Sequence, residues 1–250
     1  MMEVSLIIPA YNEEKRIIHT IDHVLRFMGE HFNSYEVIVV DDGSIDRTVK
    51  ILTKYKNRHL KIISQGENRG KGQAIKTGML HAKGQYIFFT DADLPYPLEG
   101  MLTAIKVFRT TGTHLVIGSR DLYKEKCDIP YPLYRKVMSK IFSLFINVVL
   151  GLGIPDTQCG FKGFTNDTAK HIFPLVTIEG FGFDFEVLYI AKKYKLKIES
   201  IPVNLSYSEG SKVNIFSDSI KMVRDALKVR INDWKGLYHP EKSYQYVEGK

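Results

Sequence analysis

Cysteine is scarce: Cys127 and Cys159 are the whole complement. Two isolated thiols make neither a zinc site nor a disulfide framework, which excludes a stapled secreted scaffold and points to a reducing compartment. Long apolar runs are missing too. The longest, Ile141 to Ile154, is interrupted by Ser143 and Asn147 and falls short of the ~18–20 apolar residues that span a bilayer. Met1 to Pro9 has no basic segment ahead of a long apolar run, so no signal peptide is expected. Repeats and low-complexity tracts are also absent. Acids are in deficit, 28 Asp and Glu against 35 Lys and Arg, which leaves a net charge of +7. That excess favours an anionic partner: a nucleotide, a phosphate, an acidic membrane face or a nucleic acid.

What is present is ample for a core: 250 residues, 44% of them hydrophobic, enough for one large domain. Short apolar runs alternate with segments of helical period. Strands are expected at Val4 to Pro9, Tyr35 to Val40, Leu60 to Ile63, Tyr86 to Phe89 and Leu115 to Ile117. Between them lie helices carrying Ile17, Ile21, Val24, Leu25 and Met28, then a stretch through Leu52 that Asp46 caps, one ending near Ala82, and one over Leu98 to Phe108. Such alternation predicts a mainly parallel sheet, Rossmann-like, with helices on both faces. Past Arg120 the pattern changes to a long helix over Tyr131 to Leu150 and a loop and short strand over Asp156 to Phe164. A helix over Asp184 to Tyr194, a strand over Leu196 to Val203 and an amphipathic helix over Ile215 to Ile231 complete it. We read residues 1–232 as one α/β domain, with a nucleotide-binding half to about 120 and an acceptor half after it, and 233–250 as a tail.

Carboxylates end three of the strands: Glu13 past the first, Asp41 and Asp42 at the second, Asp91 and Asp93 at the fourth. In a parallel sheet those ends share the edge where ligands bind. Clustered acids repel unless a cation or a donor-rich ligand sits among them, and oxygen donors suit Mg²⁺ or Mn²⁺. The loop Gly66-Glu67-Asn68-Arg69-Gly70-Lys71-Gly72 opens a helix, and N–H groups plus an ammonium there suit a phosphate. Its spacing matches neither a Walker loop nor a dinucleotide fingerprint. Asp184 and Glu186 head a helix, which serves the helix dipole or contacts a sugar hydroxyl.

Pro9-Ala10-Tyr11-Asn12-Glu13-Glu14, Asp41-Asp42-Gly43-Ser44, Asn68-Arg69-Gly70-Lys71-Gly72 and Asp91-Ala92-Asp93, in that order, resemble a family 2 glycosyltransferase of the GT-A fold. Asp156-Thr157-Gln158-Cys159-Gly160-Phe161-Lys162 is similar to the subgroup that loads sugars onto polyprenyl phosphate, the dolichyl-phosphate glucosyltransferases and polyprenyl-phosphate mannose synthases. The resemblance implies an inverting, metal-dependent hexosyl transfer from a nucleotide sugar to dolichyl or polyprenyl phosphate. UDP-glucose is the favoured donor, because Pro95 stands where mannose synthases often carry a Gln metal ligand; GDP-mannose, or a hydroxyl acceptor, is the alternative. It assigns the nucleotide sugar to Pro9, Tyr11, Glu13, Asp41, Asp42, Lys71, Asp91 and Ala92, the metal to Asp91 and Asp93, and the catalytic centre to Asp93, Asp156, Arg120 and Gln158. Candidates for the acceptor phosphate are Arg135, Lys162, Ser211 and Lys212.

Two other classes compete. An aspartyl-phosphate phosphatase also uses strand-Asp-x-Asp, but Pro95 sits where that motif needs Thr or Val. A nucleic-acid binder is suggested by charge alone; the bases are scattered without a recognition motif, and no nucleic-acid partner is expected. A lipid acceptor requires a membrane surface. In the last helix Phe216, Ile220, Val223, Leu227 and Ile231 form a stripe beside Lys221, Arg224 and Lys228, a pattern for peripheral attachment. The expected location is the cytoplasmic face of a membrane.

Overall fold

Alternation along the first strands sends side chains to both faces of one sheet, and two cores form there. A computed structural model describes residues 2–120, 122, 133–154, 156–205 and 215–239, with the backbone alone at 133–140 and 215–219. Strands β1 (Val4–Ala10), β2 (Tyr35–Asp41), β3 (Leu60–Ser64), β4 (Tyr86–Phe89), β5 (Leu115–Ser119), β6 (Lys162–Thr165) and β7 (Ile198–Pro202) make a seven-stranded sheet in the order β3-β2-β1-β4-β6-β5-β7. Leu6, Ile8, Val37, Val39 and Phe88 point to one core, whereas Ile7, Ile38, Val40, Ile87 and Phe89 point to the other.

Helices α1 (Ile17–His31), α2 (Thr48–Lys54) and α4 (Gly100–Thr111) cover the first face. Helices α3 (Lys71–His81), α5 (Leu133–Leu150), α6 (Asn166–Ile172), α7 (Phe183–Lys193) and α8 (Ile215–Trp234) cover the second. The expected mainly parallel sheet is present, with one exception: β6 runs antiparallel between β4 and β5. Helix α6 and the 3₁₀ turn at Phe173–Leu175 fall where no element was expected. Past residue 232 the chain still adds to the second core. Tyr238 is fully buried and donates to the buried carboxylate of Glu186 at 2.5 Å.

Register brings the functional loops to one edge. Ala10 pairs with Asp41, and Ile7 with Phe89, so residues 11–13, 42–44 and 90–93 all leave the sheet at the carboxyl ends of parallel strands. The chain order reverses between β1 and β4, which is where open α/β sheets form their ligand crevice.

Candidate active site

The loops after β1 and β2 brace each other. Asn12 donates its N–H to Ser44 Oγ at 2.9 Å and accepts from Ile45 N, also at 2.9 Å. Glu13 N donates to Thr48 Oγ1 at 2.8 Å, and its carboxylate pairs with Arg16 at 2.9 Å. Pro9, Tyr11 and Glu13 are half-buried at this rim. Ala92 is buried, and its carbonyl accepts from Thr20 Oγ1 at 2.6 Å.

Asp41 and Asp42 do more building than was expected of them. Asp41 accepts from Ser44 N and Ser64 Oγ, each at 3.3 Å. Asp42 accepts from Gln65 Nε2 at 2.9 Å, Arg69 N at 2.9 Å and Gly70 N at 2.8 Å. Three donors on a carboxylate with about four acceptor sites leave roughly one for a ligand. Burial pushes the Asp42 carboxyl up, against the pull of the Arg69 and Gly70 N–H groups.

The glycine loop is not the open phosphate cradle expected from its composition. Arg69 N and Gly70 N go to Asp42, and Gln73 N donates to Glu179 O at 3.1 Å. Gly70 and Gly72 are required for a different reason. A Cβ on Gly70 would meet Glu179 O at 2.6 Å, and one on Gly72 would meet Ile178 O at 2.6 Å. The loop is therefore clamped backbone to backbone against residues 178–183, and Lys71 is the group it presents.

Lys71 Nζ lies 2.5 Å from Asp91 Oδ1. Burial disfavours its ammonium, but Asp91, Asp184 and Asp93 outweigh this and hold its pKa above the ordinary lysine value. Arg120 grips Asp156 in two places, Nε to Oδ2 at 2.8 Å and Nη2 to Oδ1 at 2.8 Å, and its backbone N–H adds a third bond. Burial would raise the Asp156 carboxyl, yet the Arg120 bonds hold it below the usual range. An ionised, doubly gripped carboxylate orients a neighbour and is a poor proton acceptor at neutral pH. Gln158 reaches Met222 Sδ on α8 at 3.7 Å.

No group of three or more His, Cys, Asp and Glu placed to hold a metal occurs among the described residues. Asp91 and Asp93 still fit one mode of binding. Mg²⁺ is commonly held by one or two carboxylates with substrate phosphate oxygens completing the shell, and the half-buried acids at the end of β4 would supply that share.

The glycosyl transferase family 2 model matches residues 5–173. The chain belongs to that family. This glycosyltransferase is 38% identical over 248 residues to a dolichyl-phosphate beta-glucosyltransferase of Trichomonas vaginalis, covering 92% of this chain and 75% of the relative. The Dictyostelium discoideum enzyme of the same name is 34% identical over 248 residues, covering 94% and 76%. Mannosyl-3-phosphoglycerate synthase from Rubrobacter xylanophilus shares the fold at TM-score 0.71 and 16% identity, over 94% of this chain and 75% of that one. Glucosyl-3-phosphoglycerate synthase from Mycobacterium tuberculosis, crystallised with Mn²⁺ and UDP, follows at TM-score 0.66 and 17% identity, over 91% and 80%. The GT-A architecture expected for this family 2 glycosyltransferase is present.

Of the acceptor candidates, the structure relocates one. Lys162 is fully buried, and its ammonium donates to Asp184 Oδ1 at 2.5 Å, Cys159 O at 2.8 Å and Thr157 O at 3.2 Å. With its three protons taken, it pins the Asp156 loop, a structural role that the sequence reading did not assign to it. Ser211, Lys212 and the Arg135 side chain lie outside the described residues. Asp184 is Lys162's counter-ion. Glu186 is a structural anchor that accepts from Thr177 N, Thr177 Oγ1, Ile178 N and Tyr238. The pairing of Lys162 with Asp184 went unread because both residues are polar in the sequence and only the antiparallel turn of β6 buries them together.

Proposed function

We propose that this glycosyltransferase moves glucose from UDP-glucose to dolichyl phosphate or a related polyprenyl phosphate. The observation that carries this is the pairing of Arg120 with Asp156 and of Lys71 with Asp91, in a chain whose relatives are named dolichyl-phosphate beta-glucosyltransferases. In this reading Tyr11, Glu13 and Asp42 hold the base and ribose, and Lys71 faces the diphosphate. Asp93, with Asp91, holds Mg²⁺ or Mn²⁺, whose chemistry is to neutralise charge on the departing diphosphate. A phosphate oxygen of the acceptor forms the new bond to C1 of glucose as the bond from C1 to the UDP oxygen breaks. UDP leaves with the electron pair, and C1 inverts. A phosphate monoester is largely a dianion at neutral pH, its second pKa being near 6, so no base is needed. Positive charge that brings two anions together is needed, and Arg120 supplies it while Asp156 fixes its direction.

A membrane surface belongs to this reading. Ile220, Leu227, Ile231 and Trp234 on α8 are 63%, 50%, 45% and 78% exposed, and Ile141, Leu144 and Val148 on α5 are exposed alongside. The two helices pack together, and on α8 exposed Lys221, Arg224 and Lys228 flank the exposed apolar residues. An apolar face beside cations suits an anionic bilayer, and we assign the cytoplasmic leaflet because its lipids carry that charge. No helix among the described residues is long and apolar enough to cross a membrane.

The test is transfer of label from UDP-[¹⁴C]glucose into the organic phase with dolichyl phosphate and Mg²⁺ or Mn²⁺. Label should be lost in EDTA and in Asp93→Asn, since an amide is a poor ligand for a hard cation. Label from GDP-mannose instead, or full activity of Asp93→Asn, would overturn the donor or the metal assignment respectively.

A further inference from the structure

Both oxygens of Asp91 have a close neighbour, though the side chain is only partly buried. Lys71 Nζ stands 2.5 Å from Oδ1. Oδ2 faces Gly160, where a Cβ would come within 2.6 Å. Lys71 has little freedom to leave unaided. It begins α3, directly after the loop clamped on residues 178–183. Asp184 and Asp93 attract it as Asp91 does, and Asp184 is itself fixed by the buried Lys162.

An ammonium and a divalent cation repel strongly when they share one carboxylate in a half-buried site. We propose that Lys71 is an internal competitor of the divalent cation at Asp91, and that it couples entry of the cation to entry of the diphosphate. The diphosphate draws the ammonium off Oδ1 and keeps it as a counter-charge, with Asp184 behind. Oδ1 is then open to the cation. By linkage, each ligand tightens the other by the same factor. This rests on the nucleotide-sugar reading above and adds the order in which the site fills.

Mn²⁺ binding to the full chain, followed by the electron paramagnetic resonance of free Mn²⁺ with and without UDP, tests it without turnover. Lys71→Met should bind Mn²⁺ in the absence of UDP at least about fivefold more tightly than the parent, within the range usual for coupled sites. The strengthening by UDP should shrink correspondingly. Lys71→Arg, which keeps the charge, should behave as the parent and controls for damage to the fold. Unchanged or weaker Mn²⁺ binding by Lys71→Met, or equal tightening by Lys71→Arg, overturns the inference alone. Failure of the parent to bind Mn²⁺ even with UDP overturns it together with the metal assignment.

Discussion

Asp42, Asp156 and Asp184 look alike in the sequence and differ in what surrounds them. Asp42 builds the glycine loop, Asp156 is gripped by Arg120, and Asp184 neutralises a buried lysine. Composition and position located all three near the site; only packing separated their roles. Gly160 makes the same point from the other side. Its hydrogen lies against Asp91 Oδ2, and a methyl group there would sit at 2.6 Å. Gly160→Ala should therefore displace the carboxylate by a sizeable part of an ångström. Misplacement on that scale costs about 10²-fold in rate, and kcat/KM for glucosyl transfer should fall by at least about tenfold with little change in melting temperature. Activity within about twofold of the parent would mean that the Asp91 position is not critical. The acids at the strand ends were legible because strand-end carboxylates need no tertiary information to be noticed. Lys162 was not, because a lysine beside a loop read as the acceptor site passes for a surface cation until the strand it begins is placed inside a sheet.

At the scale of elements, α8 carries two apolar stripes. Met222, Ala226 and Val229 are buried against the second core, whereas Ile220, Leu227 and Ile231 face outward. Periodicity revealed the outer stripe and its basic flank but not which stripe packs, since hydrophobicity alone does not give direction. Each cation near an anionic surface contributes about 1 kcal/mol. Changing Lys221, Arg224 and Lys228 together to Gln should weaken partitioning onto phosphatidylserine vesicles at low salt by about a hundredfold. Flotation reads this directly, and an unaltered floating fraction would remove α8 from the membrane surface. Helix α6 escaped the sequence reading because seven residues give scarcely two turns of pattern. Its start is marked in structure by Thr165, whose hydroxyl accepts from Thr168 N at 3.4 Å.

At the scale of the molecule, the two cores are joined to their rims by lysines that reach carbonyls. Lys170 crosses from α6 to the last turn of α3 and donates to Met79 O at 2.8 Å and Leu80 O at 2.6 Å. Burial holds its ammonium down at about 8, with Lys61 adding to the effect and Glu36 opposing it, whereas the unfolded chain titrates near 10.4. Between those values the unfolded state carries the extra proton, so stability rises with pH there, and the full cost of Lys170 is present below about pH 8. Urea unfolding between about pH 7.5 and 9.5 should show a steeper gain for the parent than for Lys170→Met; parallel curves would reject this role. The antiparallel β6 has a consequence in time. Among the described residues the far edge of β4, the uncharged run Tyr86-Ile87-Phe88-Phe89, is covered by residues 162–165, and β5 is flanked by β6 and β7. A growing chain can assemble β3-β2-β1-β4 early, but it carries a bare, sticky strand edge until some seventy further residues have been made. During that stretch of synthesis the ribosome holds a nascent chain that needs a chaperone more than the finished enzyme ever does.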